Sequence, residues 1–284
     1  MPKSKRRKPK KKASSAAGSA PHLRTIESLL AQIAGRAGDD DLDAAQEIVY
    51  DAWEARDRRR RIALAKKALA VSPLCADAFV LLAEDARTAD EALALCRQGV
   101  AAGERALGAA AFKDDVGHFW GVLETRPYMR ARHGLAQALW EAGERDEAIF
   151  HYQDMLRLNP GDNQGLRYTL LDAFLELGRE SEADKLMKRY KDDGAAAWAW
   201  SGALLSFRRH GDSAMSRKML RRAVEANAHV PDFLLGRKKL PRTLPALIGW
   251  GDENEAVAYV HGAAAAWAAA AGALAWAHAA LADR

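Results

Sequence analysis

Two clusters of polar and aromatic residues have the types and spacing to do something chemical. The first is Trp120, Glu124, Arg126 and Tyr128 in GHFWGVLETRPYMRAR, and the second is Asn163, Gln164, Arg167 and Tyr168 in LNPGDNQGLRY. Guanidinium and amide donors beside a helix N-terminus suit an anion or carboxylate, and the rings would supply an apolar anchor. Packing is the plainer reading of the first cluster, with Trp120 and Tyr128 seating the next hairpin while Glu124 pairs with Arg126. Glu144, Asp146 and Glu147 lie close together, but they fall in the first turn of a helix, where the helix dipole accounts for them. The 8 histidines are dispersed without an H-x-x-x-H pair. No phosphate-cradling Gly-rich loop, Gly-x-Ser-x-Gly or Cys-x-x-Cys occurs. These absences point to binding rather than catalysis, and no catalytic residue, metal or cofactor is expected.

The elements that must position these residues are helical. Ala is abundant, β-branched residues are scarce, and no strand-period alternation of useful length occurs. Gly143, Gly178 and Gly211 are separated by 35 and 33 residues, close to the period of about 34 of tetratricopeptide hairpins. Ala148 and Ala183 follow the first two glycines at equal distance, where two helices approach closely. Tyr152, Met187 and Leu220 repeat in the same way. The matching first helices are RARHGLAQALWEAG, RYTLLDAFLELG and AWSGALLSFRRHG. Pro160 closes one hairpin and Pro73 marks an earlier one. Thr125 is expected as an N-cap, with Pro127 in the first turn.

First helices line the concave groove of such a stack. The helical phase puts Arg130, His133, Gln137 and Glu141 on that face in one repeat, and Tyr168, Asp172 and Glu176 in the next. This mixed surface suits a peptide with charge and an apolar or aromatic anchor. Gly134 and Thr169 stand where a carboxylate-gripping Asn or Arg would be needed, so chaperone-tail binding is not expected.

The rest of the chain frames this centre. Residues 1–22 form an expected disordered basic tail, residues 23–107 N-terminal hairpins including a short helix over His22–Arg36, residues 108–230 the clear repeats, and residues 231–284 an irregular segment with Ala-rich C-terminal helices. Lys3, Lys5, Arg6, Arg7, Lys8, Lys10, Lys11 and Lys12 account for the net charge of +5, because the remaining 35 basic and 38 acidic residues leave about −3. The body therefore has no general excess of positive charge for nucleic acid. The tail itself suits salt-sensitive contact with RNA, DNA or ribosome, or serves as a solubilising terminus. Cys75 and Cys96 fall at apolar helical positions and read as buried thiols. Ala256–Ala282 has no Asp, Glu, Lys or Arg, but its Ala content suits a packing helix rather than a membrane span. Pro231, Pro241, Pro245, Gly249 and Gly251 mark a stretch of about 20 residues that reads as a packed functional loop or lid. Trp267 and Trp276 belong to helices expected to cap the stack.

GHFWGVLETRPYMRAR, LNPGDNQGLRY and HVPDFLLGRKKLP resemble bacterial tetratricopeptide proteins related to the suppressor-of-tumorigenicity-7 family. The resemblance covers roughly residues 40–281, is strongest from Gly117 to Pro241, and extends to EAVAY and GALAW. It implies a repeat scaffold with an unassigned partner and no transferable enzymatic activity. The expectation is an all-α, right-handed, tetratricopeptide-like solenoid of about five helical pairs. It would be cytoplasmic, bind an unidentified protein or peptide through its concave groove, and make no use of a membrane. The alternative is a ribosome- or nucleic-acid-associated protein relying on the basic tail.

Overall fold

The computed structural model describes residues 40–282; the basic tail and the helix expected over His22–Arg36 lie outside the described residues. The helices are α1 (Asp40–Glu54), α2 (Arg58–Val71), α3 (Ala76–Glu84), α4 (Ala89–Asp114), α5 (Arg126–Ala142), α6 (Arg145–Leu158), α7 (Leu166–Glu176), α8 (Glu180–Arg189), α9 (Ala196–His210), α10 (Ala214–Ala226), α11 (Val230–Leu234), α12 (Glu253–Ala269) and α13 (Ala273–Ala282). A 3-10 turn at Leu123–Thr125 precedes α5. The first ten helices form five hairpins, stacked as a tetratricopeptide-like solenoid in which α1, α3, α5, α7 and α9 are the first helices.

The local chemistry explains the hairpins. Gly143, Gly178 and Gly211 have φ of 88°, 69° and 58°, backbone that a side chain would strain. Asp57, Thr88 and Ser213 each accept an amide from the first turn of the helix they start. Thr125 does not act as the expected cap. Its hydroxyl is turned back to the carbonyls of Phe119 and Val122, leaving α5 without a side-chain cap. Gly108, at φ 67°, breaks α4, but the helix resumes to Asp114 instead of ending near Leu107. Phe112 is thereby carried onto Phe119 and Tyr128, with ring centroids 5.3 and 5.0 Å away.

One buried carboxylate ties the N-terminal first helices together. Asp77 on α3 has 0% of its surface exposed. It accepts Arg130 Nε and Nη2 from α5 at 2.8 and 2.5 Å, and Gln46 Nε2 from α1 at 2.9 Å. The Arg130 guanidinium also lies 5.2 Å from the centre of the Trp53 ring. Both thiols are buried, and burial raises Cys75 to about 12 and Cys96 to about 11.

The C-terminal helices do cap the stack, and they do so from its inner side. α12 packs on α7 and α9, so it covers the inner faces of the last two hairpins. Trp267 is fully buried beside Trp200 and donates to Tyr259 Oη at 2.8 Å. α13 stacks Trp276 on Phe207 at 4.5 Å. Arg208 donates to the carbonyls of Leu175 and Ala266, at 2.5 Å each, and so closes the C-terminal ends of α7 and α12. Among the described residues no single helix is long and apolar enough to cross a membrane; α12 and α13 meet that test only as a pair bent by 112°.

Asp77→Ala would remove the buried carboxylate to which Arg130 and Gln46 both donate. Urea unfolding is expected to show a loss of about 3–5 kcal/mol, with a smaller loss for Asp77→Asn, which keeps the hydrogen-bonding shape.

Candidate functional site

The two sequence clusters are brought near one another and are mostly spent on packing. The amides of Gly117 and Phe119 donate to the Leu158 carbonyl at 2.9 and 3.3 Å, which pins the first flank to the start of the second. Trp120 is half-buried, and Arg126 donates to its carbonyl at 3.0 Å while lying over its ring. Tyr128 belongs to the core, where its hydroxyl accepts Arg132 at 2.8 Å. Glu124 and Asn163 are exposed, and Gln164 is half-buried. In the second flank Asp162 caps α7 by accepting the amides of Leu166 and Arg167 at 2.7 and 3.0 Å. Arg167 bridges Asp162 and Asp193 at 2.9 and 2.6 Å, and stacks on Tyr168. It is a tie between hairpins rather than the open anion donor expected of it.

The inner face also differs from a bare groove. Arg130 turns inward as its helical phase predicts, but Asp77 takes it. His133 stands edge-on to Tyr152, and burial lowers it to about 4, so it offers no charge to a partner at neutral pH. Gln137 and Glu141 are exposed. Tyr168 and Asp172 lie beneath α12. Glu144, Asp146 and Glu147 fall in or beside the first turn of α6. Asp146 pairs with Arg179, and Glu147 with Arg97 at 2.9 Å. Among the described residues no group of three or more His, Cys, Asp or Glu is placed to hold a metal ion.

What the arrangement leaves open is a cavity of about 300 Å³ at the edge of the covered groove. Tyr168 and Asp172 of α7 form one wall, Ala195 and Ala197 at the start of α9 a second, and Glu255, Ala258 and Tyr259 of α12 a third. Ile248, Gly249 and Trp250 close the rim. Glu255 is the anchor of this region. Its carboxylate accepts the Ala196 amide at 3.0 Å, Asn227 Nδ2 at 2.9 Å and the Gly251 amide at 2.8 Å. Asp172 is different, because burial and the nearby Glu176 push it up to about 8 and no hydrogen bond offsets them. Its carboxylate abuts Gly262, where a Cβ would collide with it, so α12 approaches α7 through a residue without a side chain.

The irregular stretch expected from Pro231 onward is a loop over residues 235–252, between α11 and α12, with Pro231 itself inside the short helix α11. Asn254 Nδ2 donates to the Leu247 carbonyl at 2.9 Å, the Gly249 amide donates to Asp252 at 2.9 Å, and His261 meets the Pro241 carbonyl at 2.9 Å. Lys238 bridges Asp232 and Glu253 at 3.3 and 3.2 Å. The loop is thus held in place, yet Leu244, Leu247, Ile248 and Trp250 are 59, 81, 55 and 74% exposed. Sequence reasoning located this loop by its Pro and Gly residues but named none of these side chains. Four large apolar residues within an irregular stretch were the available signal.

Comparison with known proteins identifies the family. The family model described as "ST7 protein" matches residues 34–283. Protein ST7 homolog of Caenorhabditis elegans is 30% identical over 272 residues, covering 78% of this chain and 48% of the relative. Suppressor of tumorigenicity 7 protein of Macaca fascicularis is 28% identical over 283 residues, covering 83% of this chain and 52% of the relative. The chain spans about half the length of the curated relatives it matches. The crystal structure of YrrB, described as a TPR protein with an unusual peptide-binding site, is similar over 72% of this chain and 93% of its own, with 16% identity and a TM-score of 0.45.

Asp172 gives a pH test of the covered groove. Its proton favours the folded chain fully below the unfolded-state value near 3.8, and this contribution is lost as pH rises towards about 8. Thermal unfolding across this range is expected to show Asp172→Asn gaining stability relative to the parent as pH rises. Curves that stay parallel would mean that Asp172 is solvated and α12 does not cover it.

Proposed function

We propose that this chain, which belongs to the ST7 protein family, is a non-catalytic scaffold. It binds a partner polypeptide at the edge of its inner face, where residues 235–252 meet α7, α9 and α12. The observation that carries this reading is the loop. Among the described residues, four of the seven well-exposed large hydrophobic side chains lie between Leu244 and Trp250. Keeping such side chains in water forgoes about 1.5–3 kcal/mol for each one that burial would recover, and exposed apolar patches of this kind mark interaction surfaces. The hydrogen bonds that fix the loop mean that little of its order has to be created on binding.

A partner lying along the whole concave groove is disfavoured, because α12 already occupies the inner faces of α7 and α9.

Photo-cross-linking tests the reading. A benzophenone side chain at position 247 or 250 of the full-length chain is expected to capture a discrete polypeptide partner, while one at Gln137 captures none. Leu244→Ser with Leu247→Ser should abolish capture from position 250. Equal capture from position 137, or sedimentation of the chain with anionic vesicles and no protein cross-link, would contradict it.

A further inference from the structure

We propose that the cavity beside Trp250 is a receptor for an organic cation, with Asp172 as counter-ion and the rings of Tyr168, Trp250 and Tyr259 as its aromatic wall. This rests on the scaffold reading above in one respect: a lysine side chain of the partner polypeptide is the occupant we assign.

The cavity's lining has the chemistry of such a site. Its polar side chains are two carboxylates, two phenols and the Trp250 indole, and among the described residues no Lys, Arg or His contributes to it. Tyr168 Oη is held by Asp193 at 3.0 Å and by Arg167 at 2.7 Å, and Tyr259 Oη accepts Trp267. The two phenols are therefore fixed in place and present ring surface rather than free hydroxyls. Ala195, Ala197 and Ala258 keep the remaining wall small and apolar, which leaves room for an alkyl chain. An ammonium group over aromatic faces gains from their quadrupoles, and more so once it is desolvated.

The two acids have different roles. Glu255 already accepts three hydrogen bonds that hold α9, α10 and the Gly251 turn. Among the described residues Asp172 receives none, and its surroundings are acidic or neutral: Glu176 on its own helix, Tyr168 beside it, and Glu255 and Tyr259 from α12. α9 brings only Ala195 and Ala197. The nearest guanidinium, Arg167, is engaged by Asp162 and Asp193. With the cavity empty, Asp172 holds a proton up to about 8. An entering ammonium replaces that proton as the compensating charge, so binding releases a proton below that pH and strengthens as pH rises through it.

The probe is n-butylammonium chloride, with 1-butanol as its uncharged counterpart, titrated into the full-length chain at about pH 8.5 by ligand-observed NMR, where the ammonium group stays charged. Butylammonium is expected to bind saturably and more tightly than butanol. Asp172→Asn should weaken butylammonium by about tenfold or more while leaving butanol unchanged, and Trp250→Ala should weaken both. Equal affinity of the two probes, or an Asp172→Asn chain that binds butylammonium like the parent, would overturn the proposal. Cross-linking from position 247, which leaves Trp250 in place, separates this inference from the scaffold reading. Undiminished partner capture by Asp172→Asn would remove lysine as the occupant and leave the scaffold intact. Butylammonium binding without any captured polypeptide would keep the cation site and overturn both the scaffold reading and the partner lysine as occupant.

Discussion

Everything distinctive about this molecule hangs on the buried carboxylate of Glu255. A stack of helical hairpins does not by itself say where a trailing Ala-rich helix should go, because Ala contributes little direction. Glu255 supplies it through three hydrogen bonds, to the N-terminus of α9, to Asn227 after α10 and to the Gly251 turn. Those bonds set the start of α12 against the inner side of the last hairpins. Gly262 then allows close approach to Asp172, and Arg208 fastens the far end through the Ala266 carbonyl. Removing the carboxylate would leave Asn227 Nδ2 and two backbone amides short of an acceptor.

The consequence is a solenoid that fills part of its own groove. In the N-terminal half the inner helices are tied by Asp77, Arg130 and Gln46, and in the C-terminal half by α12. The proposed partner surface lies at the edge, where the loop before α12 projects its apolar side chains beside an acidic, aromatic cavity. The burial that seats α12 is also what isolates Asp172. Structure and candidate function here share a cause, because the helix that closes the groove builds the cavity.

The repeat was legible because it is local. Gly143, Gly178 and Gly211 mark turns whose left-handed backbone admits few other residues, and Ala148 and Ala183 sit where helices must approach. Helical phase also placed Arg130 and Asp172 correctly on the inner face. It could not show that Asp77, 53 residues away, takes Arg130, or that α12 covers Asp172. Such pairings between distant segments leave no periodic trace. His133 misled for a related reason: the same phase that turns it inward also carries it against Tyr152. Thr125 has a good capping residue's chemistry but finds carbonyls behind it before amides ahead. The loop was readable as a loop, and the exposure of Leu247 and Trp250 was not, because composition does not say which side of a turn faces water.

Hydrogen exchange of the full-length chain, alone and with its cross-linked polypeptide partner, tests most directly whether α12 is a resident of the groove. The account predicts that amides of Glu253–Ala269 are protected as strongly as those of α7 and α9 in the free chain. They should stay so in the complex, while new protection appears within residues 235–252. Rapid exchange of α12 in the free chain, or loss of its protection when the partner binds, would show that the helix vacates the groove and that the partner takes its place.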